Sequence, residues 1–185
     1  MTTDLAALWH AEHVNFARLL DLLEKQVAAF HAGGQPNYDL MLEVIYYLRH
    51  YPAEVHHPQE EVAFARLLER DPTMKSQIDR LTQEHHVIAA AGETLLGHLD
   101  EVVAGALEPR SIVEAAAATY LACYRAHLAA EEKEVIPRAA ELLTQQDWAA
   151  VAAAVPAEPD PLFGEDIKAR YRKLRRQIAL EAQRA

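Results

Sequence analysis

Apolar residues recur along the chain at three- and four-residue steps, the spacing of one face of an α-helix rather than the alternation of a strand. In the first such stretch Leu5, Leu8, Trp9, Phe16, Leu19, Leu20, Leu23 and Val27 share a side. They predict a helix over residues 4–31, with Asp4 as a good N-cap. Gly33-Gly34-Gln35-Pro36-Asn37 ends it in a turn. A second stretch begins at Tyr38 and carries Leu40, Val44, Tyr47, Leu48, Tyr51, Val55, Val62 and Leu68 toward one side, with kinks expected at Pro52 and Pro58. Asp71-Pro72 closes it, and Thr73 is placed to cap a third helix reaching Ala104. Gly105 and Pro109 mark the next boundary, and a fourth helix follows over residues 111–143, bent near its end by Pro137.

Four long helices with short links predict an all-α, up-down-up-down four-helix bundle, here over residues 1–146. Residues 147–185 read as a helical extension packing on it. A short helix over 147–155 leads through Pro156, Pro159 and Pro161 into an additional C-terminal helix over 165–183. That helix is basic from Lys168 to Arg176, yet Ile167, Tyr171, Leu174 and Ile178 fall on one side. It reads as an amphipathic helix laid on the bundle rather than a nucleic-acid contact.

Composition agrees. A chain of 185 residues with 51% apolar and 25% charged residues suits one domain with a full core. A formal net charge of −10 argues against general nucleic-acid binding, since an acidic surface repels phosphate. No run approaches ~18 uninterrupted apolar residues, so no membrane span is expected. The first residues lack the basic region of a secretory signal, and the cytoplasm is the expected location. The single cysteine, Cys123, cannot form an internal disulfide and reads as a buried thiol in a reducing compartment. Assembly is left open, a homodimer being one arrangement.

Ten histidines change the picture, because most lie within predicted helices. Two similar phrases stand on different helices: His56-His57-Pro58-Gln59-Glu60-Glu61 on the second and His127-Leu128-Ala129-Ala130-Glu131-Glu132 on the fourth. In each, a glutamate follows a histidine by four residues, which sets both on one helix face about a turn apart. One such pair alone is usually a surface hydrogen bond. With His13 on the first helix and His85 on the third, every bundle helix offers a donor near its middle, as a metal in a bundle core requires. Imidazole suits terminal positions, and a carboxylate can bridge two ions through its two oxygens. Both His56/Glu60 and His57/Glu61 keep the spacing.

The series His13, His56-x3-Glu60, Glu84-His85 and His127-x3-Glu131-Glu132 resembles the hemerythrin-like HHE cation-binding family. The phrases WHAEHVNFARLLDLLE, HHPQEEVAF, LTQEHH and HLAAEEKEVIP, with the later DW and DPLFG, are similar to that family's signatures. The resemblance implies a non-haem pair of iron ions, with manganese or zinc as substitutes. It implies as ligands His13, His56, Glu60, His85, His127 and Glu131, with Glu60 and Glu131 bridging. His57 and Glu61 remain the alternative pair, and His57 is also a candidate further ligand.

The chain departs from oxygen-carrying hemerythrin at Ala89, four residues after His85, where that pattern has a second histidine. One terminal nitrogen is missing, with His10, His57 and His86 as candidate replacements. A more open, carboxylate-rich centre points to redox chemistry with O2, peroxide or nitric oxide, for example peroxide disproportionation. The alternative is a non-enzymatic sensor or iron-binding module. His31, His50 and His98 are read as non-ligands, and Tyr51, one turn before His56, as the tyrosine to test beside Tyr120 and Tyr124.

Overall fold

A computed structural model describes residues 5–107, 109–155, 159–165 and 167–182, with the side chains of Phe30, Glu181 and Ala182 excepted. The chain is all-α. Helix α1 (Leu5–His31) is followed by α2 (Tyr38–Tyr51) and α3 (His57–Arg70), then α4 (Lys75–Val103), α5 (Arg110–Ala130), α6 (Ile136–Leu142), α7 (Gln145–Ala154) and α8 (Arg172–Ala182). α1 packs against α2 and α5, and α4 packs against the same two, which closes the up-down-up-down ring. The second bundle helix is α2 continued by α3, and the fourth is α5 continued by α6.

The turns follow from local chemistry. Gly33 and Gly105 adopt φ of +79° and +87°, the left-handed conformation that ends a helix most easily at glycine. The next amide then reaches back five residues, Gly34 N–H to the Ala29 carbonyl and Ala106 N–H to that of Glu101, and so satisfies a terminal carbonyl. Asn37 caps α2 by accepting from the Leu40 amide at 3.1 Å. At the third helix the cap differs from expectation. Asp71, not Thr73, accepts the hydrogen bond, from the Thr73 amide at 3.1 Å, and a 3-10 turn over Pro72–Met74 leads into α4. The proposed Asp4 cap lies outside the described residues.

The proline kinks take a specific form. Pro58 and Pro137 have no N–H, and in an α-helix their rings would crowd the carbonyls of Glu54 and Lys133. Both carbonyls lie inside π-helical turns, Pro52–His56 and Glu131–Val135, where the wider path relieves that contact. The amide of His57 bonds the carbonyl of Pro52, and that of Ile136 the carbonyl of Glu131. Each turn shifts the residues beyond it by roughly 100° around the helix axis.

Two apolar cores fill the bundle, one at each end. Phe16, Leu20, Val44, Tyr47, Leu95 and Tyr124 belong to the first. Trp9, Phe64, Leu67, Leu81, Val135 and Ile136 belong to the second. α7 packs on α3, where Asp147 pairs with Arg70 at 2.7 Å, and reaches α1, where Trp148 meets Trp9 edge-on at 5.5 Å. The C-terminal helix lies against α2, with Tyr171 and Leu174 buried and Ile167 and Ile178 partly so. It is shorter than the sequence predicts: a 3-10 turn over Ala169–Tyr171 precedes α8. Asp160 accepts the amides of Leu162 and Phe163 and the hydroxyl of Tyr47 at 2.8 Å, fastening the connecting segment to α2. Among the described residues no helix is long and apolar enough to cross a membrane.

Candidate metal centre

Between the two apolar cores runs a belt of buried polar side chains, reached once by each bundle helix. On α1, Glu12 and His13 fall between Trp9 of one core and Phe16 of the other. His56 and Glu60 follow Val55 and precede Ala63. His85 sits between Leu81 and Ile88, and Glu131 between Leu128 and Val135. His56, Glu60, His127 and Glu131 are each at most 1% exposed. Burial of this many ionisable groups costs several kcal/mol unless each finds a partner.

The carboxylates occupy the middle. Glu60 Oε1 lies 3.0 Å from His56 Nε2 and 3.6 Å from His13 Nε2, while Glu60 Oε2 lies 3.6 Å from His85 Nε2. Glu131 mirrors it: Oε2 is 3.5 Å from His13 Nε2, and Oε1 is 3.2 Å from His127 Nε2 and 3.7 Å from His85 Nε2. Three groups of donor atoms lie close enough to share an ion: His13, His56 and Glu60; Glu60, His85 and Glu131; and His57, His85 and His127. His57 stacks on His85 at 4.0 Å. Glu61 is half exposed, 3.7 Å from His85 Nδ1.

Both oxygens of Glu60, both of Glu131, both ring nitrogens of His85 and Nε2 of His127 have no hydrogen-bond partner. Buried donors and acceptors are almost always satisfied, so the meeting of the Glu60 and Glu131 oxygens with Nε2 of His85 and of His127 fits a ligand set made for a cation. The electrostatics agree. Burial opposes charge on His56, yet Glu60 and Glu12 push it up to about 10. His85, also opposed by burial, is raised to about 9 by Glu131 and Glu60. Burial holds His127 below the usual imidazole range, and it holds His57 well below, with His85 adding to the effect. Burial works against the Glu60 carboxylate, but His56, His13 and His85 hold it well below the usual range. The carboxylates draw positive charge into the belt, a demand that a bound cation would meet.

A second layer orients the imidazoles through their outward nitrogens. Glu12 accepts at 2.6 Å from Tyr51 and lies 2.6 Å from His56 Nδ1. Glu132 lies 2.8 Å from His13 Nδ1 and Glu84 3.1 Å from His127 Nδ1. Of these partners the sequence flags Glu84 only as the neighbour of His85 and Glu132 only as the residue after Glu131, and it misses Glu12. The available signal was its place one residue before His13 in an otherwise apolar face. Tyr51, singled out in the sequence, stands in this layer through Glu12 rather than in the cluster. His10 is exposed and meets Glu132 at 2.9 Å; His86 is exposed. His31 is exposed, and His50 Nδ1 meets the Tyr46 carbonyl at 2.6 Å, both away from the cluster.

No curated protein and no solved structure matches this chain. The family model described as Hemerythrin HHE cation binding domain matches residues 4–139, which take in the four bundle helices as far as the middle of α6 and the whole polar belt. With most of its length covered, the chain belongs to the hemerythrin HHE cation-binding family.

Proposed function

We propose that this protein holds two iron ions in the belt and uses them to bind or turn over a small ligand such as O2, peroxide or nitric oxide. One observation carries the reading. The two oxygens of Glu60 face different histidines, His56 and His13 on one side and His85 on the other, and Glu131 repeats the division. Carboxylates split in this way suit bridging. In this reading His13 and His56 would hold one ion and His85 and His127 the other, with Glu60 and Glu131 available to both. His57, within reach of His85 and His127, is a further donor to the second ion. Manganese or zinc suits the same donors.

When bound, an iron pair supplies two-electron redox chemistry at neighbouring centres. Disproportionation of peroxide needs just that: one H2O2 is oxidised to O2, the other is reduced, and two waters leave. The chain's own contribution is to orient and enclose. Glu12, Glu84 and Glu132 fix the ring positions of His56, His127 and His13, and the apolar cores above and below close the belt at its two ends.

Metal analysis with an optical spectrum under air tests this. About two irons per chain are expected, falling below one in a Glu60→Gln/Glu131→Gln double variant whose helical content is unchanged. A loaded preparation retaining no transition metal overturns the proposal. Oxygen evolution on mixing with peroxide marks turnover; ligand-induced spectral change without turnover marks a sensor.

A further inference from the structure

The belt is not equally closed on its two sides. On the His13–His56 side, His56 meets the ring of Phe16 edge-on at 5.2 Å and that of Trp9 at 6.2 Å. The outward nitrogens there are taken by Glu12 and Glu132. On the other side a cleft of about 280 Å³ runs between the second bundle helix and α4. His57 and His85 line it, with Leu48 and Ile88 beside them, and Ala53 and Ala89 form an exposed rim. The volume is many times what a two- or three-atom ligand needs. His85 Nδ1, facing no hydrogen-bond partner, belongs to the same wall.

Why the cleft exists is written in two small side chains. Ala53 lies in the π turn Pro52–His56, and Ala89 stands one helical turn beyond His85 on α4. A histidine at 89, as in the oxygen-carrier pattern, would place an imidazole against the cleft. Alanine leaves it open.

Resting on the di-iron reading, we infer that this cleft is the port by which a compact oxygen- or nitrogen-donor ligand reaches the centre. The ligand arrives at the His85–His127 side, and Ala89 limits the size of what passes. His86 and His57, both more exposed than His85, share the wall it passes.

The test plugs the rim. Ala89→Trp fills the cleft from an exposed helix position, and Ala118→Phe, on a separate groove lined by α1 and α5, is the control. In the iron-loaded full chain, azide association followed by stopped-flow absorbance should slow at least tenfold in Ala89→Trp and not in the control, with iron content and resting spectrum unchanged. Azide binding at the unaltered rate in Ala89→Trp overturns the port. A second arm needs no metal. Diethyl pyrocarbonate should modify His57 of the metal-free chain before His56 or His127, and Ala89→Trp should protect it; lack of protection overturns the proposal. Should the protein fail to hold iron, the functional reading falls at metal analysis, and this arm still decides whether the cleft is open to small molecules.

Discussion

Tyr51 and Tyr124 carry the same phenol into opposite circumstances. Tyr51 donates to Glu12, whose other oxygen lies against His56, so the hydroxyl satisfies a buried carboxylate. Tyr124 is fully buried with no partner for its hydroxyl, and burial pushes it well above its ordinary pKa. An unpaired buried donor costs about 1–3 kcal/mol, and removing it returns part of that. Tyr124→Phe should therefore leave the metal-free protein as stable or about 1 kcal/mol more so. Tyr51→Phe, which strands Glu12 Oε1, should cost about 1–3 kcal/mol. Urea unfolding of the two metal-free variants measures both, and a larger loss in Tyr124→Phe than in Tyr51→Phe contradicts the assignment. The two tyrosines look alike in sequence because each lies on an apolar helix face. The difference is Glu12, which comes from another helix, and no periodicity within one helix reveals it.

At the scale of elements, α7 shows how much a cap can hold. Thr144 accepts from the Asp147 amide at 3.3 Å, and Asp147 accepts in return from the Thr144 amide at 2.9 Å and hydroxyl at 2.6 Å. Thr144→Ala should cost about 1 kcal/mol at neutral pH. Those hydrogen bonds from Thr144, with Arg70 alongside, hold the Asp147 carboxyl below its ordinary value. A depressed carboxyl stabilises the fold above its unfolded pKa, and that contribution fades as pH falls through the folded value. The melting-temperature gap between wild type and Thr144→Ala should thus narrow from pH 7 toward pH 3, and a constant gap would contradict it. Helix number, order and approximate ends were legible from apolar spacing and from glycine and proline. The π turns were not. Proline marks a disturbance without saying whether the helix kinks, breaks or widens, and a widened turn changes the phase of everything beyond it. For that reason spacing alone left His56/Glu60 and His57/Glu61 equivalent, whereas the π turn Pro52–His56 puts the first pair in the buried belt.

Across the whole molecule, two apolar cores are divided by a polar layer that no helix could stabilise alone. That layer was legible as a recurring His-x3-Glu phrase, because each helix crosses it once at the same height. The resulting balance predicts how the protein responds to its metal. Without an ion the belt holds unsatisfied carboxylate and imidazole atoms that oppose folding. An ion that binds only the folded chain adds stability by mass action, about 2.7 kcal/mol at a hundredfold excess over its dissociation constant. Chelation should lower the melting temperature, and iron should restore it. Glu60→Leu/Glu131→Leu separates this from general weakening. It replaces the two central carboxylates with apolar groups and leaves the surrounding imidazoles to shed their protons, a neutral change when metal is absent. The metal-free variant should then melt no lower than the metal-free wild type, while iron adds nothing to it. If the variant instead melts well below the metal-free wild type, the carboxylates support the fold by themselves and the belt is structural before it is metal-binding.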